Sequence, residues 1–294
     1  MKIGILAPEI DWHVEEVRRE LRKRGTLSPV FSPTSFFSGI DERGFFTESS
    51  GRRIEELDVL FIRRVPGGSL EQVVFRMDVL HSLEERGVIC VNKADSIELA
   101  VDKYYTTTAL ARAGIPVPRT MVAETFSDAM RAFRALGGDV VIKPLFGSFG
   151  MGILRVNDED LAFRVFKTLL ATRGVYYVQE YLPHGGRDVR VFTLGGRAIA
   201  GMYRISEVDW RTNIARGARP LPCKLEGDVK ELSEKVSDVL EMDYAGVDLI
   251  LTEDRGPFVV EVNSAPAWRG LQEVSERKIA SEIAEYLIKK AKRG

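Results

Sequence analysis

Residues 257–268 read PFVVEVNSAPAW, a strand-forming run that carries polar residues where a buried strand would carry apolar ones. Its three valines favour a β-strand, because β-branched side chains suit a pleated surface. Glu261 and Asn263 are two positions apart, so their side chains lie on the same face of that strand. We expect such a face to belong to an edge strand or to form one wall of a site.

The residues before this run complete a hairpin, GVDLILTEDRGPFVVEVN. If Asp254 and Arg255 are the two central residues of its turn, Asp248 pairs with Glu261. Two carboxylates that face each other at about 5 Å repel unless a cation lies between them. Asp, Glu and Asn oxygens are ligands that Mg²⁺ prefers. A solvent-exposed antiparallel face is the alternative interpretation. The hairpin predicts a metal site at Asp248, Glu261 and Asn263, and an opposite apolar face formed by Val247, Leu249, Leu251, Phe258, Val260 and Val262.

The composition indicates a globular protein of about two domains, with 294 residues and 45% hydrophobic content. A formal net charge of -1 gives no attraction to nucleic acid or to an anionic membrane. No apolar run approaches the roughly 20 residues that span a bilayer. The first residues turn polar too early for the apolar core of a signal peptide. We therefore expect a cytoplasmic protein without nucleic-acid or membrane partners.

The two cysteines, Cys90 and Cys223, predict neither a disulfide framework nor a metal site. The three histidines, His13, His81 and His184, are scattered, and we interpret them as structural or surface residues. Three Gln and four Asn beside 29% charged residues are typical of a thermophile.

Strands and helices alternate over the first 95 residues, which predicts a parallel α/β unit. The turn after the first strand reads APEID and lacks the glycine fingerprint of a dinucleotide site. A capping-box pattern at Asp95 predicts one helix that continues to residue 114. The two prolines of IPVPRT indicate a subdomain boundary. Later elements are predicted as helices at 128–136, 158–172, 228–241 and 275–293, and as strands at 139–144 and 175–182.

A glycine loop, GSFGMG at residues 147–152, lies between two predicted strands. Three glycines in six residues let the backbone approach a phosphate closely. No Gly-Lys-Ser/Thr follows, so this is not a Walker loop. Lys143 lies in an apolar strand just upstream and needs an anionic partner, which a phosphate would supply. A flexible hairpin turn is the alternative interpretation of the loop alone.

Two further stretches are candidates for binding. Glu180 interrupts an apolar strand, where the extended chain could offer backbone groups to a purine and carboxylates to a ribose; a surface glutamate is an equal alternative. The stretch 187–219 contains seven arginines, no lysine and three acids. Arg binds carboxylates and phosphates in a bidentate manner, so this stretch favours an anion site. Nucleic acid is the competing partner, but aromatic residues are sparse there.

Seven motifs follow one another along the chain: Lys143, GSFGMG, QEY at 179–181, RDVR at 187–190, WRTNIARG at 210–217, AGVD at 245–248 and EVNSAP at 261–266. In this order they resemble the motifs of the ATP-grasp superfamily, and most of all those of the RimK-like ATP-dependent glutamate ligases. The resemblance covers nearly the whole chain. The alanine, proline and tryptophan after the metal motif look more like the coenzyme-modifying branch than the ribosomal-protein-modifying one, where the motif ends Ser-Pro-Gly-Leu.

The resemblance implies an α/β (α+β) ATP-grasp fold. It implies a Rossmann-like pre-ATP-grasp domain at 1–95, a central subdomain at 96–182 with the lid and glycine loop, and a C-terminal subdomain at 183–294 with the metal and substrate site. Two Mg²⁺ ions, bridged by Glu261, are implied, with Mn²⁺ as an alternative. The implied contacts to ATP are Lys103, Lys143, Gly147, Ser148, Phe149, Gly150, Gly152, Gln179, Glu180, Tyr181, Asp188, Arg211, Thr212 and Asn213. The implied catalytic cations are Arg190, Arg204, Arg211 and Arg216.

The implied reaction activates a carboxylate as an acyl phosphate, which an amino acid such as glutamate then attacks through its amine. A kinase on the same scaffold and a non-catalytic ATP-binding protein are the alternatives. Family members form homo-oligomers, so a dimer or tetramer is expected. We also expect Trp268 to influence the affinity for the acceptor more than the affinity for ATP.

Overall fold

The computed structural model describes residues 1–147, 152–171 and 174–293. Its strands are β1 Ile3–Leu6, β2 Val30–Phe31, β3 Phe36–Asp41, β4 Gly44–Ser49, β5 Arg52–Arg53, β6 Val59–Ile62, β7 Ile89–Val91, β8 Thr120–Ala123, β9 Val140–Lys143, β10 Leu154–Val156, β11 Tyr176–Glu180, β12 Arg187–Leu194, β13 Arg197–Ile205, β14 Arg219–Pro222, β15 Tyr244–Thr252 and β16 Gly256–Asn263. Its α-helices are α1 Trp12–Lys23, α2 Leu70–Glu85, α3 Ala94–Val101, α4 Lys103–Arg112, α5 Phe126–Ala135, α6 Glu159–Leu170, α7 Gly227–Val239, α8 Arg269–Val274 and α9 Ile279–Ala291.

The N-terminal sheet is parallel, in the order β2-β1-β6-β7, which confirms the predicted α/β unit. Helix α1 begins where the Asp11 carboxylate accepts a hydrogen bond from the Val14 amide at 2.8 Å. It ends before Gly25, whose φ of +74° suits a helix C-terminus. Because β1, β6 and β7 run parallel to one another, their carboxyl ends lie together at one edge of the sheet.

A small antiparallel sheet, β3-β4-β5, is inserted between β2 and β6 and was not predicted. Its first turn joins Asp41 to Gly44, and Phe45 and Phe46 follow in β4. Aromatic residues after a turn rich in Asp and Gly are a hairpin signal, so the sequence did contain an indication of this element.

The helix predicted from Asp95 is in fact two helices. Helix α3 begins at Ala94 without a side-chain cap, and it ends at Val101, with Asp102 as the residue after it. The Asp102 carboxylate then caps α4 by accepting from the Tyr105 amide at 2.9 Å. The capping-box prediction was therefore wrong, and the cap that does form makes Lys103 the first residue of α4.

The central sheet is antiparallel, in the order β10-β9-β11-β8. One face packs against α5 and α6 through a core that includes Phe133, Ile142 and Phe166. Because side chains alternate along a strand, Lys143 and Gln179 lie on the other face. That face meets the edge of the C-terminal sheet, where the Lys143 ammonium group donates to the Val260 carbonyl at 3.3 Å.

The C-terminal sheet is antiparallel, in the order β14-β13-β12-β15-β16. One of its faces packs against α7 through an apolar core that includes Val189, Val247 and Val236. The other face is apolar at one end, where Phe192 and Trp268 join the core of the N-terminal region. Its remaining end carries charged side chains and forms the wall of the candidate site.

The β15–β16 hairpin pairs Asp248 with Glu261, as predicted, but both the turn and the strand pairing next to it differ from the prediction. Thr252 pairs with Gly256, so three residues rather than two form the turn. A bulge at Val260 adds one residue to β16 and restores the pairing of the two carboxylates. The predicted apolar face was therefore wrong near the turn.

Beyond the bulge, Val259 rather than Phe258 or Val260 joins the core with Leu249. The final helix, α9, begins at Ile279 rather than at residue 275, because α8 and a short connection precede it. Each of the three segments predicted as domains contains at least one sheet. Helix α9 of the third segment packs against α1 of the first. The division into domains stays a prediction. Within the described ranges, no helix combines the length and the apolar character that crossing a bilayer requires.

Candidate active site

Two lysines face the space between the central and C-terminal sheets. Lys143 donates to the Gln179 side-chain oxygen at 2.7 Å, and Lys103 donates to the Gly147 carbonyl at 2.8 Å. Among the residues that the structure describes, neither ammonium group has a carboxylate within 4.0 Å. Both are therefore cations with neutral partners, so an anion would stabilise them.

Burial dominates the electrostatics of both lysines. It lowers the pKa of Lys143 to about 8, although the nearby Glu261 carboxylate opposes the shift. Burial also lowers the pKa of Lys103, and Glu261 again opposes it. Glu261 is thus near enough to influence both lysines without forming an ion pair with either one.

The predicted metal ligands share one face at the charged end of the C-terminal sheet. Asp248 is 1% exposed and lies opposite Glu261, and Asn263 lies two residues further along β16. The Asn263 side-chain nitrogen is buried without a hydrogen-bond partner in the described ranges. Glu261 likewise has no side-chain hydrogen bond among the described residues, so oxygens of both residues remain available.

Asp248 is held by two arginines. Arg190 donates two hydrogen bonds of 2.6 Å to its carboxylate, and Arg204 lies 2.9 Å from one of its oxygens. Burial would raise the pKa of Asp248, but the two guanidinium groups lower it overall. A carboxylate offers about four lone-pair positions, so one position remains for a cation. The three residues together fit a hard divalent cation such as Mg²⁺.

Arg190 and Arg204 were predicted to stabilise the reacting oxyanions, but the structure directs them at carboxylates. Arg204 is also paired with the buried Asp188, which was predicted to contact the nucleotide. Both oxygens of Asp188 accept from Arg204, so this pair orients the carboxylate. These arginines orient acidic groups, and the anion site inferred from the arginine-rich stretch has less free positive charge than expected.

The loop after β13 contains a second ion-pair group that the sequence analysis missed. Asp209 lies 2.9 Å from Arg211 and 3.3 Å from Arg216. Hydrogen bonds from Arg211 lower the pKa of Asp209 to about 2. Arg211 also reaches the Ile153 carbonyl at 3.4 Å, which joins this loop to the strand after the glycine loop.

Thr212 is buried, and Asn213 precedes the 3-10 helix Ile214–Arg216 without capping it through its side chain. Gly147 and Gly152 flank the glycine loop, and both pack near Pro144. The predicted phosphate contacts Ser148, Phe149 and Gly150 lie outside the described residues.

The segment QEY was predicted to contact adenine and ribose. The Glu180 carboxylate instead accepts from Arg119 at 2.9 Å and from Arg255 at 3.3 Å. Burial would raise the pKa of Glu180, but hydrogen bonds from Arg119 lower it. No local pattern indicates Arg119 as the partner, because it lies 61 positions before Glu180 along the chain. Two arginines therefore orient the carboxylate, and its contact with a ribose stays a prediction.

Tyr181 provides an aromatic surface at the same place. The Arg155 guanidinium lies 3.5 Å from its ring centroid, and the Trp210 ring packs edge-on at 6.0 Å. The Tyr181 amide already donates to the Asp139 carbonyl at 3.0 Å. In the described ranges, no hydrogen bond involves the amide of the next residue, Leu182, which the sequence analysis did not consider.

Trp268 was expected to influence acceptor affinity, but it is a core residue with 0% exposure. Its ring packs edge-on against His13 at 4.6 Å and against Phe192 at 5.9 Å. A side chain with no accessible surface does not contact an acceptor directly, and the expected influence on acceptor affinity stays a prediction.

We expect Trp268→Ala to lower the free energy of unfolding by about 3–5 kcal/mol, because it empties a large volume in the core. Trp268→Phe retains ring packing and is expected to lose clearly less. Urea denaturation followed by circular dichroism would measure both. Stability equal to wild type for Trp268→Ala would contradict the placement of this side chain in the core.

The central and C-terminal antiparallel sheets face each other, with lysines on the central side and carboxylates on the C-terminal side. This arrangement is that of the ATP-grasp enzymes. Residues 100–287 match the family described as the RimK-like ATP-grasp domain. The chain belongs to this family.

Full-length relatives agree with the family match. The tetrahydromethanopterin:alpha-L-glutamate ligase of Methanosarcina acetivorans is 33% identical over 317 residues, which cover 97% of this chain and 97% of the relative. The alpha-aminoadipate–LysW ligase LysX of Sulfurisphaera tokodaii is 29% identical over 296 residues, covering 99% of this chain and 98% of the relative. These relatives confirm the predictions of an ATP-dependent ligase and of the coenzyme branch.

A solved structure shares the fold. The ATP-grasp ligase PsnB, complexed with a minimal precursor, Mg and ADP, has a TM-score of 0.77 at 22% identity. The match covers 99% of this chain and 98% of that one. This likeness confirms the predicted ATP-grasp fold.

Proposed function

We propose that this chain adds L-glutamate to a carboxylate of a coenzyme of the tetrahydromethanopterin class, with ATP consumed through an acyl phosphate. The relatives named as ligases of that coenzyme support the choice of acceptor and amino acid. The observation that carries the chemistry is the pair of partly buried lysines with neutral partners, Lys103 and Lys143, which lie near the Glu261 carboxylate. Phosphate oxygens would complete their environment. A cytoplasmic location and a homo-oligomeric state are part of the same proposal.

The nucleotide would lie between the two sheets. Lys103 and Lys143 would bind its phosphates, and Tyr181 would offer a surface to the adenine. The free Leu182 amide is the better hydrogen-bond donor to the adenine edge, because the Tyr181 amide is already paired. The glycine loop would approach the phosphates from Gly147 onward.

Asp248, Glu261 and Asn263 would hold Mg²⁺, and two ions with Glu261 between them is the arrangement that we favour. The solved PsnB complex, which contains Mg and ADP, supports Mg²⁺ rather than a softer metal. Bound there, Mg²⁺ would neutralise charge on the terminal phosphates of ATP. Arg190 and Arg204 would act on the site through Asp248, by fixing its carboxylate.

The reaction has two steps. An oxygen of the acceptor carboxylate attacks the γ-phosphorus, the bond to the β,γ-bridging oxygen breaks, and ADP leaves. The glutamate amine then attacks the acyl carbon, phosphate leaves, and the amine proton passes to water or to phosphate. Arg216 is the cation best placed to stabilise the developing charge. Among the described residues it has one partner, Asp209, so its terminal nitrogens remain free to donate.

We expect nucleotide affinity to fall as the pH rises above about 8, the lowered pKa of Lys143. Phosphate binding favours the ammonium form, so binding requires proton uptake above that pH. The loss would reach roughly tenfold per pH unit for one proton. Calorimetric ADP titrations at neutral and alkaline pH would measure it.

Lys143→Arg is the matched variant, because its guanidinium stays protonated over this range. It should bind ADP with a flatter pH dependence. Equal slopes for wild type and Lys143→Arg would show that another group controls the dependence.

The proposed function is tested by incubating the protein with ATP, Mg²⁺ and hydroxylamine while candidate carboxylates are varied. Hydroxylamine traps an acyl phosphate as a hydroxamate, so the acceptor can be found without its natural amine. We expect hydroxamate with a pterin-linked carboxylate, and L-glutamate to outcompete α-aminoadipate as the amine. A phosphorylated alcohol in place of hydroxamate would indicate a kinase and overturn the proposal.

A further inference from the structure

The loop 264–268, which follows β16, is held by side chains of the N-terminal sheet. Asn92, directly after β7, donates to the Ser264 carbonyl at 2.8 Å. Arg63, directly after β6, donates to the Ala265 carbonyl at 3.0 Å. Because β6 and β7 are parallel neighbours, their carboxyl ends present two donors to two consecutive carbonyls.

A third N-terminal side chain holds the far end of the same loop. His13 accepts a hydrogen bond from the Trp268 amide through Nε2 at 3.2 Å. Its Nδ1 lies 3.1 Å from the Asp11 carboxylate, which favours the tautomer with Nε2 as the acceptor. Burial, helped by the charge of Arg63, lowers the pKa of His13 to about 4, so the ring is neutral at neutral pH. We refer to Arg63, Asn92 and His13 as the N-terminal clamp.

Asn263 depends on this loop for its position. Its side-chain nitrogen is buried and has no hydrogen-bond partner among the described residues, so no bond at that nitrogen anchors the amide, and its orientation depends on where the backbone lies. The Asn263 backbone pairs with Gly246 of β15. After Asn263 the chain enters the clamped loop, which packs so closely on β15 that a Cβ on Gly246 would lie only 2.7 Å from Pro266.

We propose that Arg63 is a positioning residue of the metal site, because its bond to the Ala265 carbonyl fixes the backbone that orients Asn263. The N-terminal region would thereby set the geometry of a site that lies in the C-terminal sheet. This inference rests on the proposed function, in which Asn263 is a metal ligand. Removing a residue that orients a ligand typically weakens metal binding by about 10- to 100-fold.

Arg76 provides a matched control. Arg63 and Arg76 are both 6% exposed, and both donate to backbone carbonyls. Arg76 donates to Pro66 at 2.8 Å and to Gly67 at 3.1 Å, within the N-terminal region. Replacing either arginine should lower the Tm, but only Arg63 has a connection to the metal loop.

The experiment measures calorimetric ADP binding as Mg²⁺ is varied, for wild type, Arg63→Gln, Arg63→Lys and Arg76→Gln. Arg63→Gln should raise the Mg²⁺ concentration for half-maximal binding at least about tenfold. Arg63→Lys keeps a donor for the Ala265 carbonyl and should lie between Arg63→Gln and wild type. Arg76→Gln should match wild type in its Mg²⁺ requirement.

The possible outcomes distinguish a failure of the positioning role from a failure of the proposed function. An unchanged Mg²⁺ requirement in the folded Arg63 variants, or an equal shift in Arg76→Gln, would overturn the positioning role alone. ADP binding by wild type that does not depend on Mg²⁺ would overturn the metal site, and the inference with it. If Arg63→Gln does not fold, Arg63→Met, which keeps an apolar stem but has no donor, replaces it, and a wild-type Mg²⁺ requirement in that variant would overturn the role.

Discussion

Replacing Glu261 with Gln is expected to lower the rate of ADP formation by roughly 10²–10³-fold, the range typical when a group that stabilises transition-state charge is lost. The amide keeps the shape of the side chain but removes the negative charge that would hold Mg²⁺. Because the Glu261 side chain has no hydrogen bond or ion pair in the described ranges, the fold should lose little, within about 0.5 kcal/mol. Steady-state ADP release and urea denaturation would measure both effects.

Glu253→Gln is the control for this substitution. Glu253 lies in the turn of the same hairpin, where it is exposed and distant from the charged face. The Glu253→Gln variant should retain wild-type activity and wild-type stability. A wild-type rate in Glu261→Gln would remove Glu261 from the metal site, and an equal loss in both variants would point to the hairpin as a whole.

Asp248→Asn is expected to cost both stability and activity. The carboxylate is buried between Arg190 and Arg204, so neutralising it leaves one buried and one partly buried cation with less compensation. Breaking a buried ion pair by removing one partner typically costs about 3–5 kcal/mol. Urea denaturation would show this loss, and ADP release would fall because a proposed metal ligand has changed.

Asp209→Asn is the control for Asp248→Asn, because it removes the same charge from a less buried ion-pair group. Asp209 also contacts two arginines, Arg211 and Arg216, but on a more exposed loop. Its loss should cost about 1 kcal/mol or less. If the two variants lose equal stability, burial of the Asp248 network is not what makes it important.

The hairpin shows how much of the site the sequence could specify. Alternating apolar and polar residues were sufficient to predict that Asp248 faces Glu261. The turn sequence TEDRG is compatible with connections of two or three residues, so the bulge at Val260 could not be predicted. The bulge has a consequence for the site, since Lys143 donates to the carbonyl of this extra residue.

The partners of the charged residues were beyond local patterns. Asp188 faces Arg204, and Arg190 faces Asp248, because β12 lies between β13 and β15 in the sheet. Strand order is a property of the whole chain, and the spacing of charges along one strand does not reveal it. The sequence therefore identified the charged residues of the site but assigned some of them to the nucleotide rather than to one another.

Trp268 illustrates the same limit for apolar contacts. Its place after the metal motif suggested a role with the acceptor, yet it is fully buried in a core that joins the N-terminal sheet to β12 and α9. The packing of α9 and the parallel sheet over that end of the C-terminal sheet joins distant segments. The alternation of strands and helices predicted each unit, but not how the units cover one another.

The most direct test uses an acceptor whose carboxylate carries a heavy oxygen isotope, together with ATP, Mg²⁺ and L-glutamate. If the carboxylate attacks the γ-phosphorus and glutamate then displaces phosphate, one labelled oxygen must pass from the acceptor to the released phosphate. Mass spectrometry of that phosphate is predicted to show the label in step with amide formation. Amide product accompanied by unlabelled phosphate would contradict the acyl phosphate.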